Sequence, residues 1–336
     1  MGLGSVLKKP GILFGGFLGL ATLSIMNAAY TNVLDSIKID LALTYTWTGA
    51  LMSAYFVGYT LGQIPWGVLS DRYGSKIIIS LSVLGVSLST LLFGFSETII
   101  YALILRFVTG LLGAGIFVPS VKLVSNWFNS DERGTALGIL NIGGSAGLIL
   151  SSWAVPLLSM RTGWNQGLAI TGGLGICSAL ICYLLLKDRN SNPRPINLSE
   201  LPVQRKEFLF LSFMQLIRLG SYYTFIAWTP LVLREEYGFS VIATSTAMSV
   251  LSFAGMLANP MGGMISDKLD EKRVLVGGFI MLGALVFVLL VKPTGVFIYV
   301  LVLLLGWFLN MTRSPSFTII PRLFGTDAAG SISGIN

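Results

Sequence analysis

Histidine is absent from this 336-residue chain, and cysteine occurs only twice, at Cys177 and Cys182. Without imidazole there is no histidine-assisted nucleophile and no histidine-ligated metal. Two thiols inside one apolar run offer neither a disulfide staple nor metal-ligand spacing, so both read as packing residues. Charge is scarce too, at 11% of residues against the roughly 25% usual in soluble domains. The 15 acidic residues can all be placed in loops or at the ends of apolar runs. No P-loop, nucleophile elbow or metal-ligand cluster is present, so no enzyme and no cofactor is expected.

What fills the chain instead is hydrocarbon. Hydrophobic residues make up 54% of it, and the mean hydropathy is +0.78, so most of its solvent is expected to be lipid. The apolar residues fall into about ten runs, each near the roughly 20 residues a helix needs to cross the hydrocarbon core. The spans expected are 12–34, 46–69, 77–96, 98–121, 134–158, 166–186, 208–233, 242–266, 274–291 and 296–318. The first follows Lys8 and Lys9 but is too long for a signal peptide, and more spans succeed it, so it reads as a retained helix. Continuous apolarity without period-two alternation favours helices over a barrel.

The net charge of +7 could suggest a nucleic-acid partner, but the positions of the basic residues exclude it. Most lie in alternate loops, among them Lys8, Lys9, Arg72, Lys76, Lys122, Arg133, Lys187 and Arg189, whereas Lys38, Arg161, Arg234 and Lys292 fall on the other side. That asymmetry places the N-terminus in the cytoplasm and the chain in the cell inner (cytoplasmic) membrane as a multi-pass protein. The polar stretch 187–206, with Pro193, Pro195 and Pro202, reads as a cytoplasmic linker between an N-terminal half (1–186) and a C-terminal half (207–336).

An internal repeat supports that division. Gly67 and Asp71 recur 196 positions later as Gly263 and Asp267, and the same offset relates Gly110 to Gly306, Pro119 to Pro315, Phe128 to Phe324 and Asp131 to Asp327. The expected architecture is an all-α membrane protein of two pseudo-symmetric six-helix halves, with the site between them near the midplane. The repeat also implies that Asp327–Asn336 open an eleventh span. About ten of twelve helices would then be present, the chain being a fragment that lacks the last two.

The turn after the second span reads Gly67-Val68-Leu69-Ser70-Asp71-Arg72-Tyr73-Gly74-Ser75-Lys76. It resembles the loop signature of the major facilitator superfamily, G-x-L-x-D-[RK]-x-G-[RK]-[RK], with Ser75 departing from the usual basic residue. Arg106 to Gly115 resembles that family's R-x-x-x-G-x-x-x-G helix. Lys122-Leu123-Val124-Ser125-Asn126-Trp127-Phe128 and Tyr59 to Pro65 point to its anion:cation symporter and organophosphate:phosphate antiporter branches. The resemblance implies a transporter working by alternating access, with Gly67, Asp71, Arg72, Gly74, Lys76 and Asp267 as a conformational latch. Glycines permit a tight turn, and an acid beside a base can pair, or meet a helix N-terminus, in one conformer and release in the other. The second copy carries Asp270 where the first has Gly74. Gly134, Gly138, Gly143 and Gly147 read as a close-packing face.

Three arginines lie within apolar runs. Arg218 sits about ten residues into the seventh span, where a charge costs at least about 2.5 to 3.5 kcal/mol on insertion scales, a cost that suggests a use. Gln215 and Tyr222 share its helical face and could hold an oxyanion with it; the alternative is that Arg218 bonds helix carbonyls. The position 196 residues before Arg218 is Thr22, not the second arginine of organophosphate carriers, so a singly charged or carboxylate substrate is expected. Arg106 reads equally as a structural tether or as part of the transport cycle. Arg313, nearer the cytoplasmic end, reads as snorkelling. Asn27, Tyr30 and Asn141 are further candidate lining groups.

The function expected is secondary active transport of a small organic anion, by a monomer surrounded by membrane lipid, without nucleic acid and with any coupling ion undefined. A proton-driven exporter of hydrophobic compounds would need a buried carboxylate that the visible spans lack. A transporter-like membrane sensor is the other alternative.

Overall fold

A computed structural model describes residues 9–128, 130–189, 206–292, 294–313 and 315–316, with only the backbone described at 130–135 and 267–268. Backbone contacts divide the chain into two compact units, Met1–Pro193 and Arg194–Asn336. Among the described residues the secondary structure is helical, without strands.

In the first unit, α1 (Pro10–Ala29) continues through a 3-10 turn (Thr31–Val33) into α2 (Leu34–Asp40). There follow α3 (Tyr45–Tyr73), α4 (Ser75–Phe93), α5 (Ile99–Trp127) and α6 (Ser130–Leu185). Helix α6 holds two of the expected spans, and its hydrogen-bonded run is broken at Gly163, whose φ of 83° and ψ of 157° lie outside the helical region. Only glycine adopts such a backbone without strain. The break is tied to the end of α2 by Trp164 Nε1, which donates to Asp40 Oδ2 at 2.6 Å.

The second unit contains α7 (Lys206–Glu235), α8 (Val241–Leu269), α9 (Glu271–Leu290) and α10 (Val296–Met311). A helix occupies most of the described part of every expected span, with non-helical residues chiefly at the span ends. Six stretches among the described residues are long and apolar enough to cross a membrane, with α10 a shorter apolar helix. Helices α3 and α7 are not among the six, because they carry the glycines, hydroxyls and charges from which the candidate sites are built.

The surface pattern is that of a lipid-facing protein. Leu61, Ile64, Val68, Ile100 and Ile104 point outward, while Ser82, Ser87, Thr90 and Thr109 are buried. The buried hydroxyls are partly satisfied within their own helices: Ser87 Oγ donates to Val83 O at 2.7 Å, and Thr109 Oγ1 to Leu105 O at 2.7 Å. The first unit's core, with Leu20, Val83, Ile116 and Leu140 fully enclosed, joins α1, α4, α5 and α6.

Close helix approach depends on glycine at matched places. A Cβ on Gly110 would run into Tyr55 O, and a Cβ on Gly306 would run into Leu251 O. Both members of the second contact stand 196 positions after those of the first. Within the first unit α3 meets α5, and within the second α8 meets α10, through the same glycine-to-carbonyl contact. Of the glycine face expected on α6, Gly134 lies where only the backbone is described. Gly143 and Gly147 press on Phe17 O and Ala21 O of α1, but Gly138 faces open space.

Candidate functional site

The turn between α3 and α4 is built around Gly74, which has φ 90° and ψ 149° and closes α3 by donating its N–H to Ser70 O at 3.2 Å. Its missing side chain has a second use, because a Cβ there would collide with the carboxylate of Asp188. Asp188 Oδ1 accepts from the Lys76 N–H at 3.1 Å and so places a negative charge on the N-terminus of α4. Of the expected latch residues, Asp71 pairs with Lys122 from the end of α5 rather than with its neighbour Arg72. Arg72 stacks over Tyr73 with its guanidinium carbon 5.3 Å from the ring centre. The acid that meets a helix N-terminus is therefore Asp188, which the motif does not contain. Gly67 has open space where a Cβ would stand, so packing does not demand glycine there. The Asp267 side chain lies outside the described residues.

The turn between α8 and α9 repeats this geometry with a different residue. Asp270 occupies the Gly74 position with φ 81° and ψ 135°, and its N–H closes α8 on Ser266 O at 3.1 Å. An L-residue with a Cβ is strained there, by about 1 to 3 kcal/mol.

Arg106 is buried, at 2% exposure. Its Nη2 donates to Asn27 Oδ1 at 3.3 Å and its Nε to Leu51 O at 3.5 Å. Its guanidinium carbon lies 3.9 Å from the centre of the Tyr30 ring and 4.7 Å from that of Tyr55. Tyr30 in turn directs its hydroxyl at Met52 Sδ, 3.3 Å away. Three sequence candidates, Asn27, Tyr30 and Arg106, thus meet in one cluster that ties α1, α3 and α5 together. Tyr55 and Met52 complete it and carried no sequence signal beyond apolarity. Asn141 is half-buried on α6 and donates to Leu137 O of its own helix at 2.9 Å, a helix-internal bond.

Arg218 is buried in the second unit, at 5% exposure. Its Nε donates to Gln215 Oε1 at 2.6 Å, one helical turn back on the same face of α7. That bond fixes the orientation of the amide and leaves Gln215 Nε2 buried without a hydrogen-bond partner among the described residues. A buried donor in that state costs about 1 to 3 kcal/mol. Tyr222 continues the face, its ring edge-on to Tyr223 at 5.2 Å between centres. Arg218, Gln215 and Tyr222 are therefore together as expected.

A helical fold of long apolar segments, with a glycine-bounded turn after the second span, defines a multi-pass membrane protein. The sequence pattern of the Major Facilitator Superfamily matches residues 12–336, and the chain belongs to that family. It is similar to the probable galactarate/D-glucarate transporter GudP of Escherichia coli (strain K12), with 30% identity over 69% of this chain and 60% of that protein. It is also similar to the hexuronate transporter of Bacillus subtilis (strain 168), with 25% identity over 80% of this chain and 67% of that one. The chain thus spans about 60% of the length of the first of these curated relatives. Its fold resembles that of a bacterial homologue of the human lysosomal transporter Spinster in an inward-facing, occupied conformation. There the TM-score is 0.77 at 18% identity, over 96% of this chain and 77% of that one.

Proposed function

We propose that this protein is a secondary active transporter that moves a small organic anion, of the sugar-acid class, across the cytoplasmic membrane by alternating access. The observation that carries the reading is Arg218, a guanidinium buried in the seventh span beside an amide donor with no protein partner. A buried amide donor is retained there at a cost beside a positive charge, and a carboxylate would satisfy the donor and suit the charge. Relatives named as carriers of galactarate, D-glucarate and hexuronate supply the substrate class. In this reading Arg218, Gln215 and Tyr222 bind the anion. Arg106, with Asn27 and Tyr30, holds three helices of the first unit in register, and the turn at Gly67, Asp71, Arg72, Gly74 and Lys76 acts as a latch through Lys122 and Asp188. The halves follow the repeat, and the N-terminus lies in the cytoplasm as the basic loops require.

The test is uptake of radiolabelled sugar acids by the full-length protein in proteoliposomes, compared with R218A. Loss of uptake and of substrate affinity in a normally folded variant is expected. Unchanged uptake and affinity would remove the reading.

A further inference from the structure

Arg218 has a second guanidinium for company in its own unit. Tyr222 and Phe225 of α7 pack against the apolar cluster that Leu301, Leu305 and Leu309 of α10 build with α9. Arg218 lies one turn before Tyr222, and Arg313 lies four residues past Leu309. Successive spans alternate in direction, so the seventh and tenth are antiparallel and both arginines fall to the same side of this shared cluster. Arg218, Arg313, Tyr222 and Tyr223 lie close enough to one another to interact electrostatically. Arg313 is half-buried rather than extended to the surface. Among the described residues no carboxylate forms an ion pair with it.

Two like charges in a low-dielectric setting repel, and the arrangement gains most from a ligand that brings a negative charge to each. The unpartnered Gln215 amide nitrogen adds an independent sign of a missing acceptor on the same face. We propose that Arg218 and Arg313 form a two-cation site that selects dicarboxylates over monocarboxylates. Arg218 and the Gln215 amide take one carboxylate, Arg313 takes the other, and the tyrosine hydroxyls serve the atoms between. The proposal rests on Arg218 being the charge partner of the substrate, and it narrows that reading from anions to dianions.

The experiment is calorimetric binding to the full-length protein in detergent near neutral pH, where both carboxyls of an aldaric acid are ionised. The probes are a six-carbon aldarate and the aldonate that lacks its second carboxylate. Wild type is expected to bind the aldarate at least about tenfold more tightly, the scale of one charge-assisted contact. R313Q is expected to erase that ratio, and R313K, which keeps the charge and reports on folding, to restore most of it. Equal affinities in wild type, or equal losses for both probes in R313Q, would overturn the dianion site. Should that happen while R218A still loses both anions, the transport reading would stand without it; an R218A protein that binds both normally would sink the two together.

Discussion

The two units place a buried arginine in different company. In the first, Arg106 is held by Asn27, Leu51 O and two aromatic faces of the protein that surrounds it. In the second, Arg218 donates to Gln215, whose own amide donor has no hydrogen-bond partner among the described residues. The turns after the second and eighth spans differ in a similar way. Gly74 takes its left-handed backbone freely and makes room for Asp188, while Asp270 takes nearly the same backbone under strain. The turn is therefore a common pattern that is relaxed in one copy and strained in the other, whereas the two arginines, which the repeat does not relate, differ in their surroundings. The unit with the unmet amide donor is the one to search for a ligand.

The comparison breaks most visibly at the arginines. R218A is expected to weaken sugar-acid binding by about a hundredfold, the scale of a charge-assisted hydrogen bond lost to a buried partner, measured by calorimetry. Conversely, R106K is expected to lower the thermal midpoint by the equivalent of about 1 to 3 kcal/mol, because a lysine cannot span Asn27 and Leu51 O while stacking on two rings. A substrate affinity that fell in R106K without any change in stability would reverse the roles of the two arginines.

The glycine contacts give a matched pair. G110A and G306A are each expected to destabilise by about 1 to 3 kcal/mol, since the added methyl meets a backbone carbonyl that can move only with its helix. If G306A were silent in thermal unfolding while G110A was not, the equivalence of the two contacts would fail. At the turns the expected signs are opposite. G74A should destabilise by about 1 to 3 kcal/mol, whereas D270G should stabilise by about 1 kcal/mol, as strain is relieved and partly offset by the entropy of glycine.

The smallest effect belongs to the loop pair of Lys292 with Glu236, at 2.7 Å and with both side chains more than half exposed. The hydrogen bond and charge of Glu236 raise the lysine above its ordinary value. Its contribution is therefore complete below that ordinary value and disappears as pH rises through the raised one, in strongly alkaline solution. K292A is expected to leave the thermal midpoint at neutral pH unchanged within error, because exposed pairs are screened and entropically costly.

The sequence by itself determined the membrane class, the order of the helices, the family and the repeat, because hydropathy, length and glycine spacing are local properties that lipid and close packing enforce directly. It also brought out Gln215, Arg218 and Tyr222, since residues three and four apart share a helical face whatever the tertiary fold does. What only the tertiary structure decided were partners distant in the chain. It showed that Asp188 rather than Asp71 caps α4, that Lys122 is the partner of Asp71, and that Tyr55 and Met52 close around Arg106. It also showed that Gly143 and Gly147, and not Gly138, press on α1. These depend on which helix faces which, and side-chain chemistry along one helix leaves that open until the packing is known.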